Sequence, residues 1–159
     1  LHFPNAKYWT NADHWKWATE PNAREKASFL KENILPIEQS GHLNHVPLDG
    51  TSPFSQFDIF LANGHTDKQM VPKIKYKDKT IVFMADLLPS TGHIPLPYVM
   101  GYDTRPLLTL SEKERFLNEA ADNNYILFLE HDSVNECCTL KHTEKGVRLD
   151  RTFPLSEVL

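Results

Sequence analysis

The chain has 159 residues, 40% of them apolar and 24% charged, which suits one globular domain with a sizeable core. No apolar run approaches the ~20 residues of a membrane-spanning helix, and the start lacks the basic and apolar regions of a signal peptide. The net charge of −4, with basic residues interspersed among acids, argues against a nucleic-acid partner.

Elements follow in chain order. Residues 6–10 read as a strand, and Asn11 or Asp13 caps a short helix that carries Trp15 and Trp17 as packing residues. Residues 22–33 place Ala23, Ala27, Leu30 and Ile34 on one helical face, with Pro36 as the stop. Residues 41–54 are a loop-rich link with room for short strands. Strands follow at 57–62 and 69–76, and the first of them ends at the turn signal Asn63-Gly64. The basic run 73–79 is a solvated turn into the next strand, Thr80 to Ala85. That strand stops at Asp86, and Pro89 blocks further pairing.

Residues 91–108 form a proline-rich loop with a helical turn. The capping box Ser111-Glu112-Lys113-Glu114 opens a helix to about Asp122. A buried strand at 125–129 ends in Glu130-His131-Asp132. Two more strands, 137–142 and 146–150, are joined at Glu144-Lys145-Gly146. The strands around 57–85 leave no room for crossover helices, so the class is α+β with mostly antiparallel sheet. Cys137 and Cys138 are adjacent, where a disulfide would be strained, so both are expected as thiols of a cytoplasmic protein. One is expected in the core and the other exposed.

Three apolar strands end in side chains that suit a metal ion: His65, Asp86 and His131. Strand ends are held by the sheet, and side chains projected from them are pre-positioned. A carboxylate buried at such a place needs a partner: a metal, an Arg, or backbone N–H groups. The opposing reading is that some of the eight histidines fall at strand ends without a role.

The segment Asn63-Gly64-His65-Thr66, then Gln69, then Phe83-Met84-Ala85-Asp86-Leu87-Leu88-Pro89-Ser90, resembles the middle of the metallo-β-lactamase fold. Glu130-His131-Asp132 is similar to that family's last histidine motif. The resemblance implies that His65 completes a first metal site, Asp86 bridges two metals, and His131 belongs to the second. It implies two divalent ions, zinc first with iron or manganese as alternatives. It also implies a four-layer αββα sandwich. The family's H-x-H-x-D-H signature does not occur; the nearest pair is His42 and His45. Residues 1–159 are therefore expected to be a single domain that forms the C-terminal part of a larger one. The missing N-terminal segment, or self-association, would cover the apolar face left open.

Other candidates lie in the proline-rich loop. His93, Tyr98 and Tyr102 are expected to contact substrate, with Asp103 in the same loop. Asp132 is a candidate partner for His131. Ser90 and Ser133 show no triad pattern. The general base is expected in the missing N-terminal part. The expected function is metal-dependent hydrolysis of a small-molecule ester, lactone, thioester or amide, with the fragment alone inactive. A non-catalytic interaction module is the alternative, and a nuclease of the same fold has the least support.

Overall fold

The structure, a computed structural model, describes residues 2–49 and 51–159. Leu1, which opens the chain, and Gly50, in the 41–54 link, lie outside them. The chain divides into two compact units, Leu1–Pro53 and Phe54–Leu159.

In the first unit, β1 (Tyr8–Thr10) pairs in parallel with β2 (Leu43–His45). Helix α1 (Ala12–Thr19) begins at Asn11, whose buried side chain accepts from the His14 N–H at 2.8 Å. The helix expected at 22–33 does not form before Lys31. The Asn22 side chain accepts from the N–H groups of Arg24 and Glu25, as a cap would, but residues 23–28 run as turns. The Glu25 carboxylate holds this arrangement by accepting from Trp17 Nε1 at 2.7 Å. Helix α2 (Lys31–Gln39) starts later and contains Pro36. Proline lacks a donor, but the Pro36 carbonyl still accepts from the Ser40 N–H at 3.1 Å, so the helix runs past it.

The second unit is a mixed α/β body around a six-stranded, mainly antiparallel sheet. The strands lie side by side in chain order: β3 (Phe57–Ala62), β4 (Gln69–Tyr76), β5 (Lys79–Phe83), β6 (Ile126–Phe128), β7 (Cys137–Thr143) and β8 (Gly146–Phe153). Every pairing is antiparallel except β5 with β6, which helix α3 (Pro106–Asp122) connects.

Alternation along the strands builds two apolar faces. Val82, Leu127, Cys138, Leu140 and Val147 join Phe116, Leu117 and Ala120 of α3 in the larger cluster. Ile81, Ile126, Cys137, Phe153 and Val158 form the other. Both cysteines are thus free thiols and both are buried, because both faces of β7 are covered. This corrects the expectation of one exposed thiol. Burial pushes both thiols up, to about 11 for Cys137 and about 12 for Cys138.

Helix α3 begins five residues before the expected capping box. Pro106 occupies its first turn, where a missing N–H costs nothing. Ser111 lies inside the helix and its hydroxyl donates to the Leu108 carbonyl. Lys73, read as part of a solvated turn, is mostly buried and pairs with Glu119 of α3. No helix among the described residues is long and apolar enough to cross a membrane.

Candidate functional site

Strand β3 runs into the Asn63-Gly64-His65 turn, and the start of α3 grips that turn at several points. The Glu112 carboxylate accepts from the backbone N–H groups of Asn63 at 2.9 Å and Gly64 at 3.0 Å. Arg105 N–H donates to the Gly64 carbonyl at 2.8 Å, and Thr104 N–H to the His65 carbonyl at 3.1 Å. The Arg105 guanidinium reaches the Asn63 carbonyl and the Asp67 carboxylate. A Cβ on Gly64 would lie 2.2 Å from the Thr109 nitrogen, so only glycine allows this approach.

Asp86 does not sit at the end of β5. The strand stops at Phe83, and Asp86 lies in a turn closed by Leu87 N–H to the Met84 carbonyl. Ala85 takes a left-handed φ of 44° to make that turn. Buried Met84, Leu87 and Leu88 anchor it on both sides. His131 lies just past β6, in a loop tied back by Leu129 N–H to the Glu136 carbonyl.

These three turns bring His65, Asp86 and His131 together. His65 Nε2 is 3.5 Å from Asp86 Oδ2, and His131 Nε2 is 3.1 Å from Asp86 Oδ1. The partners of Asp86 are thus two imidazoles, with the Gln69 amide at 3.4 Å from Oδ2. His65 Nδ1 lies 2.9 Å from Oδ1 of Asp103, a carboxylate wholly removed from solvent.

Asp132 does a different job from the one expected of it. It accepts from the Thr91 N–H and hydroxyl, and from the N–H groups of Val134 and Asn135. It thereby ties the loop after His131 to the loop after Asp86. Desolvation raises its pKa, but these hydrogen bonds outweigh that and hold it well below the ordinary 3.8. A carboxylate with a depressed folded pKa stabilises above its unfolded value, and that stabilisation disappears as pH falls through the folded one. Asp132→Asn is therefore expected to lower the urea midpoint at pH 7 and to converge with the parent as pH falls below about 4. A difference that persists unchanged at low pH would contradict this role.

His93 is half-buried in the 91–98 loop, its Nδ1 2.8 Å from the Ser90 hydroxyl. Desolvation and the nearby Lys113 charge lower its pKa, and Asp103 opposes them. Lys113, buried on α3, donates to the carbonyls of His93, Pro95 and Tyr98 and so fixes this loop. Tyr98 and Tyr102 expose their rings, at 60% and 79%.

Among the described residues no group of three or more His, Cys, Asp or Glu side chains forms a metal-holding cage. The donor types at Asp86 nevertheless fit a divalent ion: two imidazole nitrogens, each facing a different oxygen of one carboxylate. Three buried polar atoms without partners adjoin this place in the chain or by contact. They are Thr66 Oγ1, next to His65; Gln69 Oε1, whose amide reaches Asp86; and Asp103 Oδ2. Buried polar orphans mark places where water or an ion completes the bonding.

Neither a protein-family model nor a curated protein sequence matches the chain. Solved structures do. A probable metal-dependent hydrolase from Staphylococcus aureus superposes with a TM-score of 0.82 at 24% identity, over 95% of this chain and 53% of that one. The hydrolase AbOPH, of the β-lactamase superfamily, gives 0.79 at 17% identity, over 97% and 57%. The fold is that of the metallo-β-lactamase superfamily. AidC, a dizinc quorum-quenching lactonase in complex with a homoserine product, gives 0.73 at 22% identity, over 97% and 57%. The chain spans little more than half the length of these metallo-β-lactamase-fold hydrolases.

His65, Asp86 and His131, named from the sequence, are brought together by the structure. Sequence reasoning grouped Asp103 with the substrate loop and missed that this residue buttresses His65. It also missed the structural parts of Glu112 and Lys113. One signal was available: both precede the apolar pair Phe116-Leu117 by four residues, which puts two charges on the buried stripe of α3.

Proposed function

We propose that this chain is the C-terminal part of a metal-dependent hydrolase that cleaves a small-molecule ester, lactone, thioester or amide. The observation that carries the reading is Asp86, with an imidazole nitrogen facing each of its carboxylate oxygens. His65, Asp86 and His131 would supply ligands from this chain, and an N-terminal segment carrying H-x-H-x-D-H would supply the rest. When bound, two divalent ions, zinc first with iron or manganese as alternatives, would acidify a water and polarise the scissile carbonyl.

The residues of this chain hold and orient. Asp86 presents one oxygen to each side. With Ser90 as the donor in its 2.8 Å hydrogen bond with His93 Nδ1, the ring proton would stand on Nε2, where it can meet a substrate oxygen. Lys113 keeps the His93–Tyr98 loop in place, and Tyr98 and Tyr102 stand exposed for an apolar portion of substrate. A lactone is favoured within the ester group because the similar AidC is a lactonase. Two free buried thiols support a cytoplasmic setting. A second reading, a non-catalytic interaction module, draws on the lack of a closed metal cage among the described residues.

Metal analysis of the full-length protein separates the two. Zinc, iron and manganese would be counted beside His65→Ala and Asp86→Ala. We expect bound metal in the parent and reduced stoichiometry in both variants. Equal metal in all three would refute the ligand assignment, and a metal-free parent would favour the interaction module. Hydrolysis of lactones, thioesters and β-lactams would then place the substrate.

A further inference from the structure

We infer that Asp103 is the positioning residue for His65, holding the ring as its Nδ1–H tautomer so that Nε2 faces Asp86. The inference rests on the metal-hydrolase reading for its purpose, though not for its geometry. Asp103 is wholly buried, and Oδ1 lies 2.9 Å from His65 Nδ1. A buried carboxylate without a partner is costly, so this contact is made with a donor: Nδ1 carries the proton.

The loop does not need the carboxylate for its own backbone. The Asp103 N–H donates to the Met100 carbonyl, the Thr104 N–H to the His65 carbonyl and the Arg105 N–H to the Gly64 carbonyl. Asp132 differs in part, since its Oδ1 accepts from the Val134 and Asn135 N–H groups of its own turn while its Oδ2 accepts from Thr91. Among the described residues the Asp103 carboxylate directs its hydrogen bond to a side chain 38 residues away.

The tautomer has a consequence at the other end of the ring. With the proton on Nδ1, a neutral His65 turns a lone pair toward Asp86 Oδ2 at 3.5 Å. A lone pair facing a carboxylate is repulsive until a cation lies between them. The ring is thus set up to receive a positive charge on its Nε2 side. Carboxylate–histidine pairs of this kind typically alter metal affinity by about 10–100-fold.

The test uses the full-length protein, with Asp103→Ala and Asp103→Asn. Histidine tautomers are read on metal-free protein by two-dimensional ¹⁵N–¹H NMR. Zn²⁺ affinity is read by competition with a chromophoric chelator, and folding by thermal melting. The expected result is an Nδ1–H ring at His65 in the parent and the Nε2–H form in Asp103→Ala. Zn²⁺ affinity should fall about 10–100-fold in Asp103→Ala. Asp103→Asn, which still offers an oxygen acceptor, should restore most of the tautomer preference.

An Nε2–H ring in the parent overturns the inference, even where Asp103→Ala fails to fold. So does unchanged Zn²⁺ affinity in a folded Asp103→Ala. A parent that binds no Zn²⁺ counts against the proposed hydrolase alone, since the tautomer measurement still decides the role of Asp103.

Discussion

Gly64→Ala is expected to destabilise the chain by about 3 kcal/mol or more and to scatter the site. The added Cβ would sit 2.2 Å from the Thr109 nitrogen and 2.4 Å from its Cα, both backbone atoms of α3 that no rotamer change can move. The turn must retreat from the helix. Retreat breaks the bonds from the Asn63 and Gly64 N–H groups to Glu112, and from Arg105 N–H to the Gly64 carbonyl. Buried donors and a buried carboxylate then lose partners together, which is why the cost exceeds that of one methyl group in an apolar core. Urea unfolding followed by circular dichroism measures it. A midpoint equal to the parent's would mean that α3 does not hold this turn.

The second large effect belongs to Lys113→Met. Methionine has similar length and no donor, so the carbonyls of His93, Pro95 and Tyr98 lose the ammonium that joins them. A loss of about 1–3 kcal/mol at pH 7 is expected, the scale for leaving buried hydrogen-bonding groups unpaired. Burial, opposed by the Asp103 charge, lowers the Lys113 pKa from its ordinary 10.5 to about 8. Between these values the unfolded chain holds a proton that the folded chain has released. Stability from this group therefore rises with pH from about 8 to 10.5. Lys113→Met should lack that rise. A variant with the parent's midpoint at pH 7 and the same alkaline slope would remove Lys113 from this role.

The strands were legible because their signal is local. Phe57–Ala62 and Gln69–Tyr76 carry β-branched and aromatic residues between turn signals, and both form over the expected residues. The meeting of His65, Asp86 and His131 followed from placing each just after a buried strand. The supports were harder to see, because their partners lie far off in sequence. Glu112 binds Gly64 from 48 residues away, and Asp103 binds His65 from 38. A buried charge of this sort leaves no period in the chain. Local signals also misled where tertiary contacts decided. Ser111 and Glu114 have the spacing of a cap, yet Thr109 and Glu112 pack on the Asn63-Gly64 turn and require helix from Pro106 onward. At 22–33 the helical spacing misled: Ala23, Ala27 and Leu30 are exposed, so no buried apolar stripe holds a helix there, even though Asn22 makes the hydrogen bonds of a cap.

The one parallel pairing within the six-stranded sheet bears on the order in which that sheet assembles. Strands β3, β4 and β5 form one meander and β6, β7 and β8 another, each closed by local contacts. Only the β5–β6 seam must wait for a long crossover to close, and such non-local joins come at the highest loop entropy. Asp86 belongs to the first meander and His131 to the second. Their contact exists only once the seam is shut, so the centre reports on the completed sheet: whatever binds there binds a finished fold and, by mass action, holds the two halves together.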